Sequence, residues 1–585
     1  MGLGVVLVGL AAWRTLSVVH TDVAQARTTI DSATANPDQL LSTPGRAQSL
    51  HYLTEADGQL QQADRQIRTS LSLDVLSWVP FAHTQRDGLL QLVDDARTMT
   101  ESGSTLLTTV DTLQSESHGT SISIPSLRRL QQEVTGTVTR FEAIDRPGSG
   151  LIGPIATARA SLDRDNVRLV QLMTRGDEAL SYALPFLGAD GPRTYFLAAE
   201  NNAEMRDQGA VLSFAVLHVD NGSFTVGTAQ SVGVLALTQP APVTVPPSME
   251  QVFGGYQPTE TWQSTNATAN FPWSGADMAA MYTQASGVRP DGVVGIDVPM
   301  VASLLTVSGP VSVPGISGAV TSQNLAPIIL NQLYDGIGPN QADRSDELSA
   351  VAQAAVDAMQ GRDVDLARLA RVVAQGIDGR HLLVWDADPA YETTVADLGA
   401  SGSIDTDEPA ETFHVAVENA TATKLDYYVT VDVSMHITVT AVGYAVVDTT
   451  VTLHNSAPAN AKPSYQLGPD GVSSTVAGQY VGHVYLWGPL GGTQLGSVVE
   501  SGLQLSEQDL SVLPQAGGSV NFQTVIPDAV RNGWLNINVV PQPRLVPEQV
   551  TATLSAPGWA LTGSDRQSAV LNRTSTMSWR LTPAA

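Results

Sequence analysis

The spacing of apolar residues changes twice along the chain, and this change constrains the fold more than any other feature. Between residues 20 and 182, apolar side chains recur at three- and four-residue steps, the period of amphipathic helices. Residues 183–400 mix this period with short strand-like runs, and residues 401–585 show only strand patterns separated by turn residues. We therefore expect a multidomain α+β protein with a helical bundle, a central α/β domain built on a mixed sheet, and a C-terminal all-β sandwich.

Two stripes of apolar residues indicate helices in residues 20–182. One runs from Leu89 to Leu113 and the other from Leu127 to Phe141. The segments Ser77–Phe81 and Pro147–Pro154 contain helix-breaking residues and should separate helices. An antiparallel bundle that packs on itself explains the stripes, and a stalk or coiled-coil surface for a partner is the alternative.

The first residues predict a membrane anchor. Met1–Trp13 is almost wholly apolar, and Leu16, Val18 and Val19 continue the run after Arg14. A span needs about 20 apolar residues, so residues 1–19 are short for one, as expected if the start is truncated. The alternatives are a cleaved signal peptide with an A-x-A site at Ala24–Ala26, and a buried soluble helix. We expect a single-pass protein of the plasma membrane with most of its chain outside the cytoplasm.

The central region opens with a clear pattern of strand, polar segment, strand and turn. Thr194–Ala199 and Ala210–Val219 are apolar and should be buried strands, while Glu200–Asp207 should form a polar loop between them. Asp220–Ser223 is a hairpin turn signal. Further along, Ser274 should cap a helix, and the acidic segment Asp386–Glu408 should be a linker. In the last region, Tyr427–Val433 and His436–Val442 predict two separate strands.

Composition narrows the function classes. The net charge of −27, with Lys424 and Lys462 as the only lysines, argues against nonspecific nucleic-acid binding and against broad adhesion to anionic lipid. The absence of cysteine excludes disulfides and thiolate chemistry. Zinc-protease, P-loop and nucleophile-elbow motifs are missing from the sequence. The ten histidines do not cluster along the chain, so a histidine-based metal site is not expected.

One set of polar residues in the central region has the chemistry of a diphosphate site. Guanidinium groups bind phosphate, and carboxylates hold Mg²⁺. The alternatives are turn bracing for the asparagines, strand-end or helix capping for the aspartates, and structural ion pairs for the arginines. The candidate ligand-binding residues are Asn201, Asn202, Glu204, Arg206, Asp207, Asn270, Asp297 and Arg344, with Asp291 and Arg380 as further members. No residue is assigned a catalytic role, and Mg²⁺ is the one cofactor this set would suit.

The segment Asn201-Asn202-Ala203-Glu204-Met205-Arg206 resembles the NNAELR signature of a bacterial family, the domain of unknown function 4012. That signature is usually followed by a TGGFIGS run, which here is Asp207–Ser213 and keeps only Gly209. Asn270–Pro272, Asp291–Asp297 and Gly309–Val311 resemble further family motifs in the same order. The resemblance covers roughly residues 190–400 and implies no agreed activity.

The order of features is also similar, more distantly, to the LytR-CpsA-Psr glycopolymer transferases. Arg206-Asp207 is similar to their R-x-D-T motif, although its spacing differs and the threonine is missing, and Arg344 is similar to their helix-borne arginine. This resemblance implies a membrane-anchored protein that holds a polyprenyl pyrophosphate-linked glycan with arginines and Mg²⁺. Two functions are thus expected. One is an envelope protein with a binding or scaffold role, for which cell-wall polysaccharide is a candidate partner. The other is a glycopolymer transferase or binder, for which Arg206 and Arg344 must converge.

Overall fold

The computed structural model describes residues 2–34, 39–40, 42–144, 150–334, 347–360, 364–404, 410–469, 471, 473–491 and 498–584. The chain divides into two compact units. Unit 1 comprises Met1–Gly191 with Asp220–Ser223 and Asp363–Arg368, and unit 2 comprises Pro192–Val219, Phe224–Arg362 and Leu369–Ala585.

The described part of residues 1–191 in unit 1 forms six helices. They are α1 (Gly2–Thr34), α2 (Thr43–Thr69), α3 (Leu71–Leu76), α4 (Pro80–Glu116), α5 (Ile124–Glu142) and α6 (Gly153–Phe186). Ser42, Ser70 and Ser123 cap α2, α3 and α5 by accepting backbone hydrogen bonds in the first turn. The two predicted breaks are confirmed, since α4 begins at Pro80 and α6 begins at Gly153.

The apolar stripes of these helices form two cores. Val19 and Ala26 of α1 pack with Leu60 of α2 and Val93 of α4 in the first core. Leu127 of α5 lies in the second. Among the described residues, no helix has both the length and the apolar content that a bilayer crossing requires.

The α/β part of unit 2 is a mixed sheet, as predicted. Its strand order is β3-β2-β1-β5-β8, with β4 paired to β2. Strand β1 runs antiparallel to β2 and parallel to β5, and β8 is antiparallel to β5. The elements of this part are β1 (Arg193–Met205), β2 (Gly209–Asp220), β3 (Ser223–Val226), β4 (Gln230–Ser231), α7 (Pro247–Phe253), α8 (Phe271–Ser286), β5 (Gly292–Asp297), α9 (Val298–Ser308), β6 (Val311–Ser312), β7 (Ala319–Val320), α10 (Leu325–Leu330), α11 (Glu347–Gln360), α12 (Leu366–Asp378), β8 (Leu382–Asp386) and α13 (Pro389–Asp397).

Of three local predictions for this part, one is confirmed and two need correction. The turn Asp220–Ser223 is confirmed, with positive φ at Asn221 and Gly222. Helix α8 begins at Phe271 rather than at Ser274, because Pro272 fits its first turn. The predicted linker contains helix α13, which Asp388 caps by accepting a hydrogen bond from the backbone of Ala390 at 2.9 Å. Because Asp388 is one of several acidic residues in this segment, composition alone does not identify it as a helix cap.

The polar segment after Ala199 is also not the predicted loop. Strand β1 continues through it to Met205, and the ladder with β2 is interrupted between Asn201 and Met205. Residues 202–204 thus form a bulge, which redirects their side chains. The segment is extended and buried because its polar groups find partners in distant parts of unit 2, described below.

Gly209 closes the bulge, and its lack of a side chain is required there. A Cβ atom at this position would lie 2.6 Å from the backbone carbonyl carbon of Asn201. We expect Gly209→Ala to destabilise unit 2 by about 1–3 kcal/mol, because two backbone segments must separate. Urea unfolding monitored by tryptophan fluorescence measures the loss. Gly255→Ala is the matched control, since no atom lies within 4 Å of the added Cβ; equal midpoints for the two variants would contradict the close-approach argument.

The C-terminal part contains two sheets that share one hydrophobic core. Their orders are β15-β11-β10-β17-β19 and β13-β14-β12-β9-β16-β20-β18. Val433 of the first sheet and Val415 of the second lie in the same buried cluster. The strands are β9 (Glu411–Asn419), β10 (Val429–Val439), β11 (Ala445–Asn455), β12 (Tyr480–Gly488), β13 (Val498–Glu500), β14 (Leu503–Val512), β15 (Ala516–Ile526), β16 (Trp534–Val540), β17 (Gln549–Ser555), β18 (Trp559–Thr562), β19 (Arg566–Val570) and β20 (Ser575–Pro583).

The two strands predicted at Tyr427–Val433 and His436–Val442 are one continuous strand, β10. The residues between them, Ser434 and Met435, include no glycine or proline that would end a strand. The outer face of the seven-stranded sheet is covered by the α/β part. Phe253 of α7 packs against Tyr485 and Trp487 of β12 in a separate buried cluster. The two parts of unit 2 therefore meet across an extensive buried surface.

Candidate functional site

The end of β1 lies in the contact between the two parts of unit 2. Every polar side chain from Glu200 to Gln208 is at most 9% exposed. Their partners come from β9, from the segments after β9 and β16, from the end of β5 and from the segment before β8. We call this buried polar set the β1 junction. Its members are Glu200, Asn201, Asn202, Glu204, Arg206, Asp207, Gln208, Asp297, Arg380, His381, His414, Glu418, Asn419, Lys424, Asp426, Gln542, Arg544 and Glu548.

Asp207 is fully buried and has a basic side chain beside each of its carboxylate oxygens. Arg380 Nη2 lies 3.2 Å from Oδ2, and His414 Nε2 lies 2.5 Å from Oδ1. His414 Nδ1 faces the carbonyl oxygen of Val540 at 3.1 Å, so both ring nitrogens have oxygen acceptors. Burial alone would raise the pKa of Asp207, but the charge and hydrogen bond of His414, and then of Arg380, hold this pKa below its usual value.

Glu204 is paired with a buried lysine. Lys424 Nζ lies 2.5 Å from Glu204 Oε2, and it also lies 5.7 Å from the ring centres of Tyr334 and Tyr465. Burial would lower the pKa of Lys424, but the Glu204 carboxylate and the two tyrosines raise it. The rare lysine is thus held charged inside unit 2.

Arg206 faces the protein interior. Its Nη1 donates hydrogen bonds to the carbonyl oxygens of Met205 at 3.0 Å and Asn419 at 2.9 Å. Its guanidinium carbon lies 5.8 Å from the centre of the Tyr256 ring. This side chain links the two parts of unit 2 and is not directed to solvent. Arg344, its expected partner, lies outside the described residues.

Asn201 and Asn202 brace the backbone. Asn201 Oδ1 accepts a hydrogen bond from the backbone of Ala203 at 2.9 Å, inside the bulge. Asn202 donates to Asp297 Oδ2 at 2.9 Å and to the carbonyl oxygen of Pro543 at 2.8 Å. Its own Oδ1 accepts from the backbone of Val298 at 3.1 Å. These contacts match the bracing alternative considered from the sequence.

Asp297 ends β5 and caps α9. Its Oδ1 accepts a hydrogen bond from the backbone of Met300 at 2.9 Å, and its Oδ2 lies 2.6 Å from His381 Nδ1. Burial would lower the pKa of His381, but the Asp297 carboxylate raises it. Asp291 immediately precedes β5, at the opposite end of the strand, and its side chain accepts a hydrogen bond from the backbone of Thr194 at 2.7 Å. The two aspartates therefore do not meet.

Asn270 lies apart from the junction, half-buried at the start of α8. Its side-chain amide donates to Ser501 Oγ at 2.5 Å. Of the predicted site residues, the structure thus brings together Asn201, Asn202, Glu204, Arg206, Asp207 and Asp297, together with Arg380. It places Asn270 and Asp291 elsewhere.

Several junction residues were missed from the sequence. Asp426 is the most connected of them, accepting hydrogen bonds from the backbone of Met205, from Asn419, from Tyr480 and from Arg544 at 3.0–3.1 Å. Two of these four contacts, those with Met205 and Arg544, join residues more than 100 positions apart. The one available signal was Lys424, because an isolated lysine in a chain that otherwise uses arginine suggests a specific role.

The polar side chains of the junction contact one another and the buried backbone of unit 2. Four of its carboxylates have basic partners: Asp207 contacts Arg380 and His414, Glu204 contacts Lys424, Asp297 contacts His381, and Asp426 contacts Arg544. Within the described part of the chain, its carboxylates do not form a three-ligand group suited to a metal ion. The arrangement can hold two layers of a protein together.

Glu548 gives the junction a pH response. Burial raises the pKa of this carboxyl group to about 8. Because the folded state then holds a proton that the unfolded chain releases near pH 4.5, stability is greatest below that pH and falls as the pH rises towards 8. We expect Glu548→Gln to remove this slope, of up to about 1.4 kcal/mol per pH unit. The net gain at pH 8 should be about 2 kcal/mol after the cost of burying an amide.

Urea midpoints measured from pH 5 to pH 9 test this expectation. Glu260, which lies on the surface of the same unit, provides Glu260→Gln as the control. Parallel pH curves for Glu548→Gln and the parent chain would show that Glu548 is ionised in the folded state, contrary to the expectation.

Eight of the eighteen junction residues lie in a region that matches a known protein family. Residues 190–334 match the family model described as "Protein of unknown function (DUF4012)". That range is about a quarter of the 585 residues and includes Asn201–Asp207, Asn270 and Asp297. The partners Arg380, His414, Lys424, Asp426 and Arg544 all lie after it. No curated protein and no solved structure matches the chain significantly.

Proposed function

We propose that the protein is a membrane-attached envelope protein with a binding or scaffold role, in which unit 1 contacts the bilayer and unit 2 is a rigid, non-catalytic platform. The observation that carries the proposal is an exposed apolar tip on unit 1. It comprises Leu71 and Val75 of α3 and the residues Trp78, Val79 and Phe81 that follow. Trp78 is 90% exposed and Leu71 is 80% exposed.

The tip and the apolar start of α1 lie at the same end of unit 1. Ser70 Oγ, beside the tip, donates a hydrogen bond to Thr15 Oγ1 at 3.4 Å. The residues of α1 before Thr15 therefore extend about 20 Å beyond this level, at 1.5 Å per residue. An exposed tryptophan and phenylalanine next to an apolar helix suit the interface between headgroups and hydrocarbon.

The charge of the chain favours insertion over electrostatic adhesion. A net charge of −27 disfavours attraction to anionic headgroups. Asp74, which lies within the tip, is paired with Arg86 at 2.7 Å. Binding should therefore occur on zwitterionic vesicles and change little with salt.

The natural absence of cysteine permits a direct test. A Trp78→Cys variant of the full chain carries one thiol for an environment-sensitive fluorophore. We expect its emission to shift to the blue with phosphatidylcholine vesicles at both low and high salt. Leu172→Cys is the matched control, since Leu172 is 58% exposed but lies about 30 Å further along α6 than its tip-proximal start. An unchanged emission from the Trp78 position would remove the basis of the proposal.

A second candidate is binding of a polyprenyl pyrophosphate-linked glycan, and one observation favours it. Unit 1 contains a cavity of about 1150 Å³. Aliphatic side chains of α1, α3, α4 and α6 dominate its lining, and Arg27 and Arg86 also contribute. The cavity has the apolar character that an isoprenoid tail requires, and the arginines offer charge for a diphosphate.

The two candidates differ in which arginines matter. Arg206, held by carbonyl oxygens inside unit 2, is not placed to bind a diphosphate. We therefore expect a short polyprenyl diphosphate, titrated into the full chain with and without Mg²⁺, to bind less tightly to the Arg27→Ala and Arg86→Ala variants. Arg168→Ala, which alters an exposed arginine of α6, is the control. Absence of saturable binding to the parent chain would leave the scaffold role alone.

A further inference from the structure

The geometry points to a divalent metal site on the seven-stranded sheet of unit 2, formed by His483, Glu507 and Asp509 and suited to Zn²⁺. His483 Nδ1 lies 2.6 Å from Asp509 Oδ1 and 3.1 Å from Glu507 Oε1. One ligand atom from each residue lies within 4.8 Å of the others. None of the three residues belongs to the β1 junction, although Glu418 of the junction is paired with His483 in the sheet. The sequence does not predict that the three act together.

The sheet itself positions these three side chains. His483 of β12 is directly opposite Asp509 of β14 in the antiparallel ladder, and Glu507 lies two residues earlier on the same strand. Side chains of directly paired residues, and of residues two apart on one strand, leave the sheet on the same face. Two neighbouring strands in a regular ladder therefore hold the donors, which gives the site a rigid base.

A buried carboxyl group extends the same row of side chains. Glu418 of β9 is directly opposite His483 on its other side, so the row reads Glu418, His483, Asp509 across three strands. Glu418 is 0% exposed, and among the described residues neither of its side-chain oxygens has a hydrogen-bond partner. It leaves the sheet on the same face as the three donors. An unpaired carboxyl group directly beside the imidazole independently indicates that this face is arranged for a cation.

Two tyrosines define the surroundings of the donors. Tyr485 Oη lies 3.5 Å from Glu507 Oε1 and 3.5 Å from Tyr256 Oη. The Tyr256 ring meets the His483 ring edge-on, with centres 6.0 Å apart. These contacts restrict the orientations of His483 and Glu507, as residues around metal ligands commonly do.

The donor set favours zinc over magnesium or calcium. An imidazole nitrogen with two carboxylates suits Zn²⁺, whereas Mg²⁺ and Ca²⁺ prefer oxygen alone. Ligand atoms about 2.1 Å from a tetrahedral ion lie roughly 3.4 Å apart. Starting from the present separations, His483 and Asp509 need to part by less than about 1 Å, and Asp509 is 78% exposed and able to move. Three protein donors leave one coordination position for water or a ligand group.

Calorimetric titration of the tag-free, chelator-treated full chain with Zn²⁺ tests the inference. We expect one equivalent to bind, and we expect binding at least tenfold weaker in the His483→Ala and Asp509→Ala variants. His454→Ala is the matched control, because His454 forms an exposed pair with Asp432 at 3.1 Å but has only that one carboxylate. Mg²⁺ and Ca²⁺ should bind more weakly than Zn²⁺.

Co²⁺ supplies a second, spectroscopic readout. Its visible d–d bands are strong when the protein holds the ion in a tetrahedral site, and they should be lost in His483→Ala and kept in His454→Ala. Circular dichroism establishes that each variant is folded before titration. Equal Zn²⁺ affinity in the parent chain and His483→Ala, or an equal loss in His454→Ala, would overturn the assignment, as would the absence of a saturable site in the parent chain.

Discussion

Replacing Asp207 with alanine should lower the free energy of unfolding of unit 2 by about 3–5 kcal/mol. The substitution leaves Arg380 and His414 buried without the carboxylate that both contact. Removing one partner of a buried ion pair is costly because the remaining charge stays in a low-dielectric interior. Asp207 has two such partners, so this change should be among the most damaging in the chain.

Urea unfolding followed by tryptophan fluorescence is the suitable measurement. Seven of the nine tryptophans belong to unit 2, and Trp487 and Trp579 are buried there. Because a chain with two units need not unfold in one step, midpoints of the fluorescence transition should be compared between variants. An Asp207→Asn variant keeps the shape of the side chain and removes its charge. It therefore separates the electrostatic contribution to stability from the packing contribution.

Asp432→Ala is the control for Asp207→Ala. Asp432 also pairs with a histidine, His454, but it is 50% exposed at the side chain. An exposed pair of this kind contributes at most about 1 kcal/mol. If Asp207→Ala and Asp432→Ala had the same midpoint, the junction would not stabilise unit 2 as we infer.

Replacing Lys424 with methionine should have an effect of similar size, about 3–5 kcal/mol. It leaves the nearly buried Glu204 carboxylate without its cation and removes the charge between Tyr334 and Tyr465. The double variant Lys424→Met with Glu204→Leu should recover most of the loss, since an apolar pair of similar volume often replaces a buried ion pair without cost.

Urea midpoints of the single and double variants test this prediction. Lys462→Met is the natural control, because Lys462 is the only other lysine and is exposed. Its effect should lie within about 0.5 kcal/mol of zero. A double variant as unstable as Lys424→Met would show that packing of the lysine chain, and not the uncompensated charge of Glu204, is responsible.

The parts of the fold that were predictable depend on local patterns. Helical and alternating periods identify elements such as α4 and β11, and Asp220–Ser223 specifies a turn from four neighbouring residues. The mixed sheet followed from one hairpin among alternating strands and helices. Each of these signals lies within a short window of sequence.

The environment of the NNAEMRD segment was not predictable in this way. A run of asparagine, glutamate, arginine and aspartate usually indicates an exposed loop, because each group needs a hydrogen-bond partner. Here the partners are supplied by residues 173 positions away for Arg380, 207 for His414 and 341 for Pro543. The dense run of polar groups marks the segment in the sequence, but only the packing of β9 and of the segment after β16 against the end of β1 shows that it is interior.

The same long-range arrangement explains why the sequence does not predict the proposed metal site. No other histidine, aspartate or glutamate lies near His483 along the chain, so the local sequence shows no set of metal ligands. Its partners Glu507 and Asp509 become adjacent only through the ladder between β12 and β14. Strand register, which a scattered set of histidines does not reveal, determines which side chains meet.

The two lysines have a practical consequence for chemical labelling. In the folded protein an amine-reactive reagent meets the ε-amino group of Lys462 at the surface, whereas that of Lys424 is 0% exposed. One lysine is therefore a defined attachment point for a surface or a probe. The other becomes a reporter, since its acylation, read by mass spectrometry, would register each opening of the interior that encloses it.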